Sequence, residues 1–354
     1  MRYEKTTITG FGYELAPHIV LSEDLEDRLA PVYQKLHLQP GQLEALTGIA
    51  ERRFWDKAFK LSDGAVAAGR KALAAADISA DDIDMLIYGG VCRENLEPAT
   101  ACAVAHGLGL GTDTQIYDVS NACLGVLNGM VQIANAIELG QIRAGMVVSC
   151  ESARQIVDTT IERMLGSHDM EIFKETIATL TGGSGAVAVL LCDAALAPRG
   201  HRLIGGVAKS ATQHHRLCTW GPDTGIPSSA PHIMRTDSVG VLKHGVALGI
   251  ETFHAFRSEL GWSDPLPDKV ICHQVGSAHQ RTILESIGID EAKDYTTYRY
   301  LGNIGTVSLP ITAAIAAERG FLRPGDRVGF LGIGSGLNCI MLGVEWGAMG
   351  ADPD

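Results

Sequence analysis

The amino-acid sequence predicts an α/β fold in which parallel strands form sheets covered by helices. Residues 83–90 and 144–150 form short apolar runs that are typical of buried strands. A helix is predicted over residues 65–76, with Ser62 as its N-cap, shortly before the first of these strands. Similar segments also occur in both halves of the chain, which favours two copies of one α/β unit.

The duplication depends on two pairs of segments. Gly183-Ser184-Gly185 and Gly334-Ser335-Gly336 each lead into an apolar run, and residues 84–87 and 268–271 each place an aspartate before a short strand. A chain with 41 glycines can contain Gly-Ser-Gly twice by chance, so the pattern favours duplication without requiring it. It divides the chain near residues 193–203, into an N-terminal half (1–195) and a C-terminal half (196–354).

Composition and charge narrow the class of protein. The 354 residues are 46% hydrophobic and 20% charged, as in an ordinary globular protein. The net charge of −12 argues against nucleic acid and anionic membranes as partners, because both attract basic surfaces. No run of about 18 apolar residues is present, and the N-terminus lacks the apolar core of a signal peptide. We therefore expect a cytoplasmic protein without a membrane span.

The eight cysteines are scattered and form no C-x-x-C pair, the spacing typical of zinc ligands. We therefore predict no metal site. A cytoplasmic chain keeps its thiols reduced, and most of these residues are expected to fill space in the core. The cysteines are Cys92, Cys102, Cys123, Cys150, Cys192, Cys218, Cys272 and Cys339.

Cys123 differs from the other cysteines in its position. It lies between a strand predicted over residues 115–118 and a helix that continues to about residue 139. The N-terminus of a helix carries partial positive charge and unpaired N–H groups. This environment favours a thiolate, lowers the pKa of a thiol and offers donors to an oxyanion. Cys123 is therefore a candidate nucleophile, and the alternative is a buried cysteine that fills space.

Two polar residues further along the chain are candidate partners for this nucleophile. His273 ends a strand predicted over residues 269–272, and the C-terminal ends of such strands are where α/β folds place ligand chemistry. Asn303 lies in the Gly-rich loop 301–310, before a helix with Pro310 in its first turn. Asn303 also suits a simple turn, so the loop by itself does not identify a site.

The loop at residues 331–338 matches no familiar nucleotide-binding motif. It fails to complete G-x-G-x-x-G at Leu337, and it lacks the Gly-Lys-Ser/Thr of a phosphate-binding loop. Neither Ser184 nor Ser335 completes a G-x-S-x-G nucleophile elbow. We interpret the loop as backbone that closely approaches a reacting carbonyl, which glycine permits.

Together these residues resemble the ketoacyl synthase III branch of the thiolase superfamily. Cys123, His273 and Asn303 occur in the order of its catalytic triad, and residues 47–53 (TGIAERR) resemble its N-terminal signature. The resemblance extends over residues 6–346. It implies a thiolase-like five-layered αβαβα fold built from two similar halves, a homodimer, and an acyltransferase that condenses acyl thioesters.

Within that branch the sequence most resembles the OleA-type enzymes, which condense two long-chain acyl-CoA molecules head to head. The resemblance is carried by residues 121–124, 302–305 and 331–339, and above all by Leu96-Glu97-Pro98. It implies that Glu97 reaches the partner subunit's active site as a base, although a carboxylate near a helix start is also stabilised by the helix dipole. Because Leu46 and Val275 depart from the housekeeping synthase, no coenzyme A contact is assigned to a residue.

This resemblance implies a non-decarboxylative Claisen condensation through an acyl-Cys123 intermediate, which yields a β-keto acid. The backbone N–H groups of Cys123 and Ser335 are expected to hold the oxyanion, while His273 and Asn303 stabilise the enolate. Acyl-CoA is the substrate and no cofactor is expected. Further partners implied by the resemblance are downstream enzymes of olefin biosynthesis.

Three alternatives remain open at the level of sequence. The first is a decarboxylative 3-oxoacyl-carrier-protein synthase III, or a related biosynthetic acyltransferase. Such a synthase would extend a primer with malonyl-carrier protein and would need no base, because loss of CO₂ generates the carbanion. A silent partner subunit would have no chemical reason to retain Cys123, His273 and Asn303 together. A nicotinamide-dependent dehydrogenase is disfavoured by the absence of a dinucleotide fingerprint.

Overall fold

The computed structural model describes residues 1–221, 232–262 and 267–347. Its strands are β1 (Thr6–Leu15), β2 (His18–Leu21), β3 (Glu51–Phe54), β4 (Met85–Gly89), β5 (Gln115–Val119), β6 (Ala144–Glu151), β7 (Gly185–Asp193), β8 (His201–Ser210), β9 (Cys218–Gly221), β10 (Ile233–Thr236), β11 (Lys269–Cys272), β12 (Arg327–Gly334) and β13 (Asn338–Glu345).

Helices alternate with these strands along most of the chain. The α-helices are α1 (Ser22–Arg28), α2 (Ala30–Leu36), α3 (Gln42–Thr47), α4 (Leu61–Ala76), α5 (Thr100–Leu108), α6 (Gly125–Glu138), α7 (Arg154–Ser167), α8 (Met170–Thr176), α9 (Ser238–Leu260), α10 (Ser277–Ile287), α11 (Tyr298–Leu301) and α12 (Ser308–Glu318). Short 3₁₀ helices lie at Ala80–Asp82, Ile177–Thr181, Thr212–His214, Glu291–Lys293 and Gly305–Val307.

The main sheet repeats one strand order in its two ends. Within the described residues its nine strands follow the order β11-β12-β13-β8-β1-β7-β6-β4-β5. In one end β4 is parallel to β6, and β7 lies between β6 and β1 and is antiparallel to both. In the other end β11 is parallel to β12, and β12, β13 and β8 are antiparallel neighbours. The repeat pairs β4 with β11, as residues 84–87 and 268–271 suggested, and the predicted half boundary lies in the connection between β7 and β8.

Helices cover both faces of each end of the sheet, which produces five layers. The apolar faces of α6 and α12 form the central layer, packed between strands of the two ends. Helices α4 and α5 cover the outer face of β4, β6 and β7. Helices α9 and α10 cover the outer face of β11, β12 and β13. The five-layered arrangement implied by the resemblance is therefore present, and strands buried on both faces explain the continuous apolar runs in the sequence.

A fourth apolar cluster is separate from those of the five layers. Apolar residues of α1, α2, α7 and α8 pack together there, with Phe54 and Leu180 among them. This cluster places the start of α7 and the segment Ile177–Thr181 beside the cavity described below. None of the helices described in the structure combines the length and the apolar character needed to cross a membrane.

The predicted helix before β4 is present, but its predicted cap is wrong. Helix α4 begins at Leu61, the N-cap is Lys60, and no side chain caps it there. Ser62 lies inside the first turn, where its N–H and hydroxyl both donate to the same Glu94 oxygen at 2.7 Å. The carboxylate of a distant loop therefore satisfies donors at the helix start.

Candidate active site

A cavity of about 280 Å³ brings together three of the five predicted site residues: Cys123, Asn303 and Ser335. Glu97 and His273 are not among the residues that line it. The lining is Val91, Cys92, Ser120, Ala122, Cys123, Glu151, Ser152, Ala153, Ile156, Ala178, Thr179, Thr181, Gly182, Gly183, Cys218, Trp220, Met234, Asn303, Ile304, Gly305 and Ser335.

Cys123 lies on the tight turn that joins β5 to α6. The turn is closed by the N–H of Leu124, which donates to the Asn121 carbonyl oxygen at 2.9 Å. Ala122 has a φ of +45°, a left-handed conformation that is uncommon for a residue with a side chain. Such a turn places the side chain of Cys123 in the cavity just before the helix begins at Gly125. The predicted strand-to-helix position of Cys123 is confirmed.

A close backbone contact holds the start of α6 against the end of β4. A Cβ atom added at Gly125 would lie 2.8 Å from the Gly89 carbonyl carbon, a distance that real Cβ atoms do not reach. The helix can therefore approach the strand only with glycine at this position. The first turn of α6 is also held by Thr306, whose Oγ1 accepts the Val126 N–H at 2.8 Å.

Side-chain amides connect the Cys123 turn to the final Gly-rich loop. Asn121 donates through Nδ2 to Asn128 Oδ1 at 2.7 Å and accepts at Oδ1 from Asn338 Nδ2 at 3.1 Å. Ser210 donates to Asn338 Oδ1 at 2.7 Å. These bonds bring β8 and β13 of the C-terminal half against the turn of the N-terminal half. Sequence analysis placed Asn121 in the Cys123 motif and Asn338 in the Gly-rich loop, but it did not predict the hydrogen bond between them.

The predicted close approach of the Gly-rich loop is found at Gly334. A Cβ atom at Gly334 would lie 3.4 Å from the Cys123 backbone nitrogen and 3.2 Å from Leu124 Cγ. Ser335 follows at the cavity wall, and its carbonyl oxygen accepts from Asn338 Nδ2 at 3.4 Å. The loop therefore lies where its backbone can meet a carbonyl attached to Cys123, and the donor role of the Ser335 N–H stays a prediction.

The expectation of a lowered thiol pKa at Cys123 is wrong. Burial raises the pKa of Cys123 to about 12, and the charges of Cys218 and Glu151 act in the same direction. Removal of a thiolate from water costs more free energy here than its backbone hydrogen bond contributes. Cys123 is therefore a protonated thiol at neutral pH, and attack on a thioester requires that its proton leave during the reaction.

Asn303 presents an amide donor to the cavity. Its backbone N–H donates to the Thr181 carbonyl oxygen at 2.9 Å, and its own carbonyl oxygen accepts the Gly183 N–H at 2.9 Å. The side-chain Oδ1 accepts the Gly305 N–H at 3.1 Å. Oδ1 accepts this bond, and the NH₂ group is the donor that the side chain can offer to a carbonyl or enolate oxygen in the cavity.

His273 follows β11, as predicted, and lines a second, smaller cavity. Its backbone N–H donates to the Leu331 carbonyl oxygen at 3.0 Å, and Nδ1 lies 2.7 Å from Ser308 Oγ. Burial, with a smaller effect from His279, lowers the pKa of His273 to about 3. The imidazole is therefore neutral at neutral pH, so it can donate one hydrogen bond through the ring nitrogen that carries its proton.

Glu97 lies outside both cavities on an exposed part of the loop between β4 and α5. Helix α5 begins at Thr100, so the carboxylate is near a helix start, as the simpler interpretation holds. Leu96 beside it is also exposed. Within a single chain the structure does not bring Glu97 to Cys123, and a role as base requires it to act on another subunit.

Sequence analysis missed Glu151, a buried carboxyl in the cavity wall. Its side chain is only 5% exposed, and it ends β6. Burial raises the pKa of Glu151, while bonds from Cys92 and from the Val91 and Cys92 N–H groups oppose that rise. An acidic residue at the end of an apolar run gives no signal of burial in the sequence, since many such residues are solvated.

The cavity and its walls define the class of protein. A cysteine on a strand-to-helix turn, a Gly-rich loop against its backbone and amide donors in one apolar cavity are suited to acyl transfer through a thioester. The described residues contain no cluster of three or more His, Cys, Asp or Glu side chains placed to hold a metal ion. The fold and the site are those of a condensing enzyme of the thiolase superfamily.

Comparison with known proteins agrees with this class and narrows it. Residues 47–195 match the thiolase N-terminal domain, and residues 259–346 match the C-terminal domain of 3-oxoacyl-[acyl-carrier-protein] synthase III. The chain is 54% identical to the acyl-CoA:acyl-CoA alkyltransferase of Shewanella oneidensis and 39% identical to that of Xanthomonas campestris. Each alignment covers 98% of this chain and 100% of the relative.

The structural comparison leads to the same enzyme. The crystal structure of cerulenin-bound Xanthomonas campestris OleA superposes with a TM-score of 0.92 at 38% identity, covering 98% of both chains. That enzyme has also been solved with substitutions of a cysteine, a glutamate and a histidine, and with bound lauric acid and lauroyl-CoA. The chain belongs to the acyl-CoA:acyl-CoA alkyltransferase (OleA) family.

Proposed function

We propose that this chain catalyses the non-decarboxylative Claisen condensation of two long-chain acyl-CoA molecules to a β-keto acid. The observation that carries the proposal is the cavity at Cys123. It joins a nucleophile, the Asn303 amide and the Ser335 backbone to apolar walls that include Ile156, Trp220 and Met234. Family membership favours this reaction over decarboxylative extension with malonyl-carrier protein.

In the first step Cys123 becomes acylated. Its sulfur attacks the thioester carbonyl, the carbon–sulfur bond to coenzyme A breaks, and the thiol proton leaves with the coenzyme A sulfur. The developing oxyanion would be held by the backbone N–H groups of Cys123 and Ser335, whose chain segments meet at Gly334. Loss of one such donor typically lowers the rate by about 10²–10³.

In the second step another acyl-CoA loses an α-proton and attacks the acyl-Cys123 carbonyl. His273 and Asn303 would donate hydrogen bonds to the enolate oxygen, which suits the neutral imidazole and the free amide NH₂ group described above. The new carbon–carbon bond expels the Cys123 thiolate and leaves a β-ketoacyl-CoA. Water then cleaves this thioester, which releases coenzyme A and the β-keto acid.

Glu97 is the proposed base for the α-proton. An unactivated acyl-CoA has no carboxylate to lose as CO₂, so its carbanion requires a positioned base. In Xanthomonas campestris OleA the substituted glutamate precedes the substituted cysteine by the same number of residues as Glu97 precedes Cys123. Because Glu97 is exposed in one chain, the proposal requires a homodimer in which the partner's loop enters the site.

The wider setting of the reaction follows from its chemistry. The proposed enzyme is cytoplasmic, where acyl-CoA is available, and uses acyl-CoA as substrate without a further cofactor. Its β-keto acid product loses CO₂ readily, so downstream enzymes of olefin biosynthesis are proposed partners that would consume it.

The decisive experiment supplies one long-chain acyl-CoA and no malonyl donor. Coenzyme A release and ketone formation are followed by mass spectrometry in wild type, Cys123→Ala and Glu97→Gln. We expect wild type to form a β-keto acid, which loses CO₂ and gives a symmetric long-chain ketone. Cys123→Ala should do neither step, while Glu97→Gln should acylate Cys123 without condensation. Condensation that begins only when malonyl-carrier protein is added would overturn the proposal in favour of the decarboxylative synthase.

A further inference from the structure

Glu151 lies between the cavity and the start of the loop that carries Glu97. Its Oε1 accepts the Val91 N–H at 2.9 Å, and its Oε2 accepts the Cys92 N–H at 3.2 Å. Both carboxylate oxygens are thus used by consecutive amides of the segment that leaves β4. The carboxylate is buried, so water does not compete for these two donors.

The surroundings of Glu151 leave it little freedom to move. A Cβ atom at Gly90 would lie 3.2 Å from Glu151 Oε1, and one at Gly305 would lie 3.4 Å from its Cγ. Its carbonyl oxygen accepts from Trp55 Nε1 at 3.1 Å. The side chain is therefore packed between the Gly90 segment and the Asn303 loop, and any displacement would be transmitted to both.

The rest of the loop, residues 90–99, is held in a similar way, except at its tip. Glu94 accepts both donors of Ser62, and Asp118 accepts the N–H groups of Thr100 and Ala101 at 2.9 Å each. Residues 95–98 between these anchors are exposed. Because both ends of the loop are anchored and only its tip is exposed, the loop holds Glu97 at a defined position.

We propose that Glu151 is a positioning residue for Glu97, acting through the two backbone amides at the start of the loop. The inference rests on the proposed role of Glu97 as the base. It assigns to a buried carboxylate of the Cys123 cavity a task in the condensation step instead of the acylation step. A base must lie within hydrogen-bond reach of the proton it removes, so a small displacement of the loop should reduce proton abstraction sharply.

The substitution Glu151→Gln tests this with little change of volume. A glutamine supplies one acceptor oxygen, and its NH₂ group must face the second backbone N–H, so one of the two anchors is lost. The control for loss of the negative charge is Asp84→Asn, beside the start of β6, where one carboxylate oxygen accepts both backbone N–H groups and the asparagine oxygen can keep them. Asp84 Oδ2 likewise accepts two backbone N–H groups, those of Arg143 at 2.6 Å and Ala144 at 3.2 Å, but it does not line the cavity.

Three readouts are made on wild type, Glu151→Gln, Glu97→Gln, the double variant and the control. They are the rate of Cys123 acylation, the rate of condensation, and amide hydrogen exchange in a peptide covering residues 90–99. In Glu151→Gln we expect acylation to continue, condensation to fall by about 10²-fold and exchange in this peptide to accelerate. In the Glu97→Gln background the second substitution should cause no further loss.

The outcomes separate this inference from the proposed function. Three outcomes would each overturn it. Glu151→Gln could reduce condensation equally with and without Glu97, hydrogen exchange in residues 90–99 could stay unchanged, or the loss of rate could be confined to acylation. Hydrogen exchange is measured without turnover, so unchanged exchange would overturn the inference even if Glu97→Gln is inactive. Failure of wild type to condense, or full condensation by Glu97→Gln, would instead overturn the proposed reaction or its base, and this inference with it.

Discussion

The Nδ1 atom of His273 lies 2.7 Å from the Oγ atom of Ser308, at the start of α12. Burial keeps this imidazole neutral, with its pKa lowered to about 3. A neutral imidazole carries one proton, and we expect the Ser308 hydroxyl to donate to Nδ1, which would leave that proton on Nε2. That tautomer can donate to an enolate oxygen, whereas the opposite tautomer would present a lone pair.

Replacement of Ser308 by alanine should therefore affect condensation more than acylation. Without the hydroxyl, the Nδ1–H tautomer becomes accessible, and we expect condensation to fall by about 10-fold to 10²-fold while acyl-Cys123 still forms. Nitrogen NMR of labelled His273 measures directly which ring nitrogen carries the proton. Ser308→Thr keeps a hydroxyl and should keep the wild-type tautomer. Unchanged nitrogen shifts in Ser308→Ala would contradict the assignment.

The same low pKa predicts a feature of the pH profile. Since His273 stays neutral down to a pH of about 3, the condensation rate should show no acidic limb that depends on this residue between pH 5 and 8. Profiles of wild type and His273→Asn should then fall in parallel on the acidic side. An acidic limb that disappears only in the His273 variant would show that the imidazole is protonated within this range.

Cys123 should react slowly with small alkylating agents at neutral pH. Its thiol has a pKa of about 12, raised first by burial, and the thiolate is the reactive form. The rate of iodoacetamide labelling at Cys123, measured by peptide mass spectrometry, should rise continuously with pH up to 9. The exposed Cys102 on α5 serves as an internal reference in the same digest. A labelling rate that levels off below pH 8 would contradict a raised pKa.

Asp294 should make the folded state less stable as the pH rises. Burial raises its pKa from 3.8 to about 7, although Cys272 N–H and Gln280 Nε2 donate to its carboxylate. The folded state thus holds a proton that the unfolded chain loses, so this contribution is fully present below pH 4 and is lost as the pH rises to about 7.

Asp294→Asn is the variant that isolates this contribution. Its amide keeps an oxygen for the Cys272 N–H but has no proton to release. Wild type should therefore lose stability relative to the variant between pH 4 and 7, so the melting temperature of the variant minus that of wild type should increase over this range. Thermal unfolding of both proteins at several pH values measures this difference. A constant difference in melting temperature would show that Asp294 does not titrate there.

Parts of the site could be predicted because they depend on local sequence. Residues adjacent in the chain mark the turn at Cys123, the strand end at His273 and the Gly-rich loop that contains Ser335. The structure has these features at the predicted positions. The thiol pKa and the burial of Glu151 depend on packing between distant segments, which no local pattern records. Ser62 failed as a cap for the same reason, because Glu94 is its partner.

Thr306 offers a test of how the C-terminal half supports the helix that follows Cys123. Its Oγ1 accepts the Val126 N–H at 2.8 Å, and both groups are buried. Thr306→Val keeps the shape but leaves this N–H without an acceptor, which costs about 1–3 kcal/mol. We expect a lower melting temperature and slower acylation of Cys123, because the helix that follows the nucleophile loses an anchor. Thr306→Ser keeps the hydroxyl and should preserve acylation, so equal losses in both variants would assign the effect to packing of the methyl group instead.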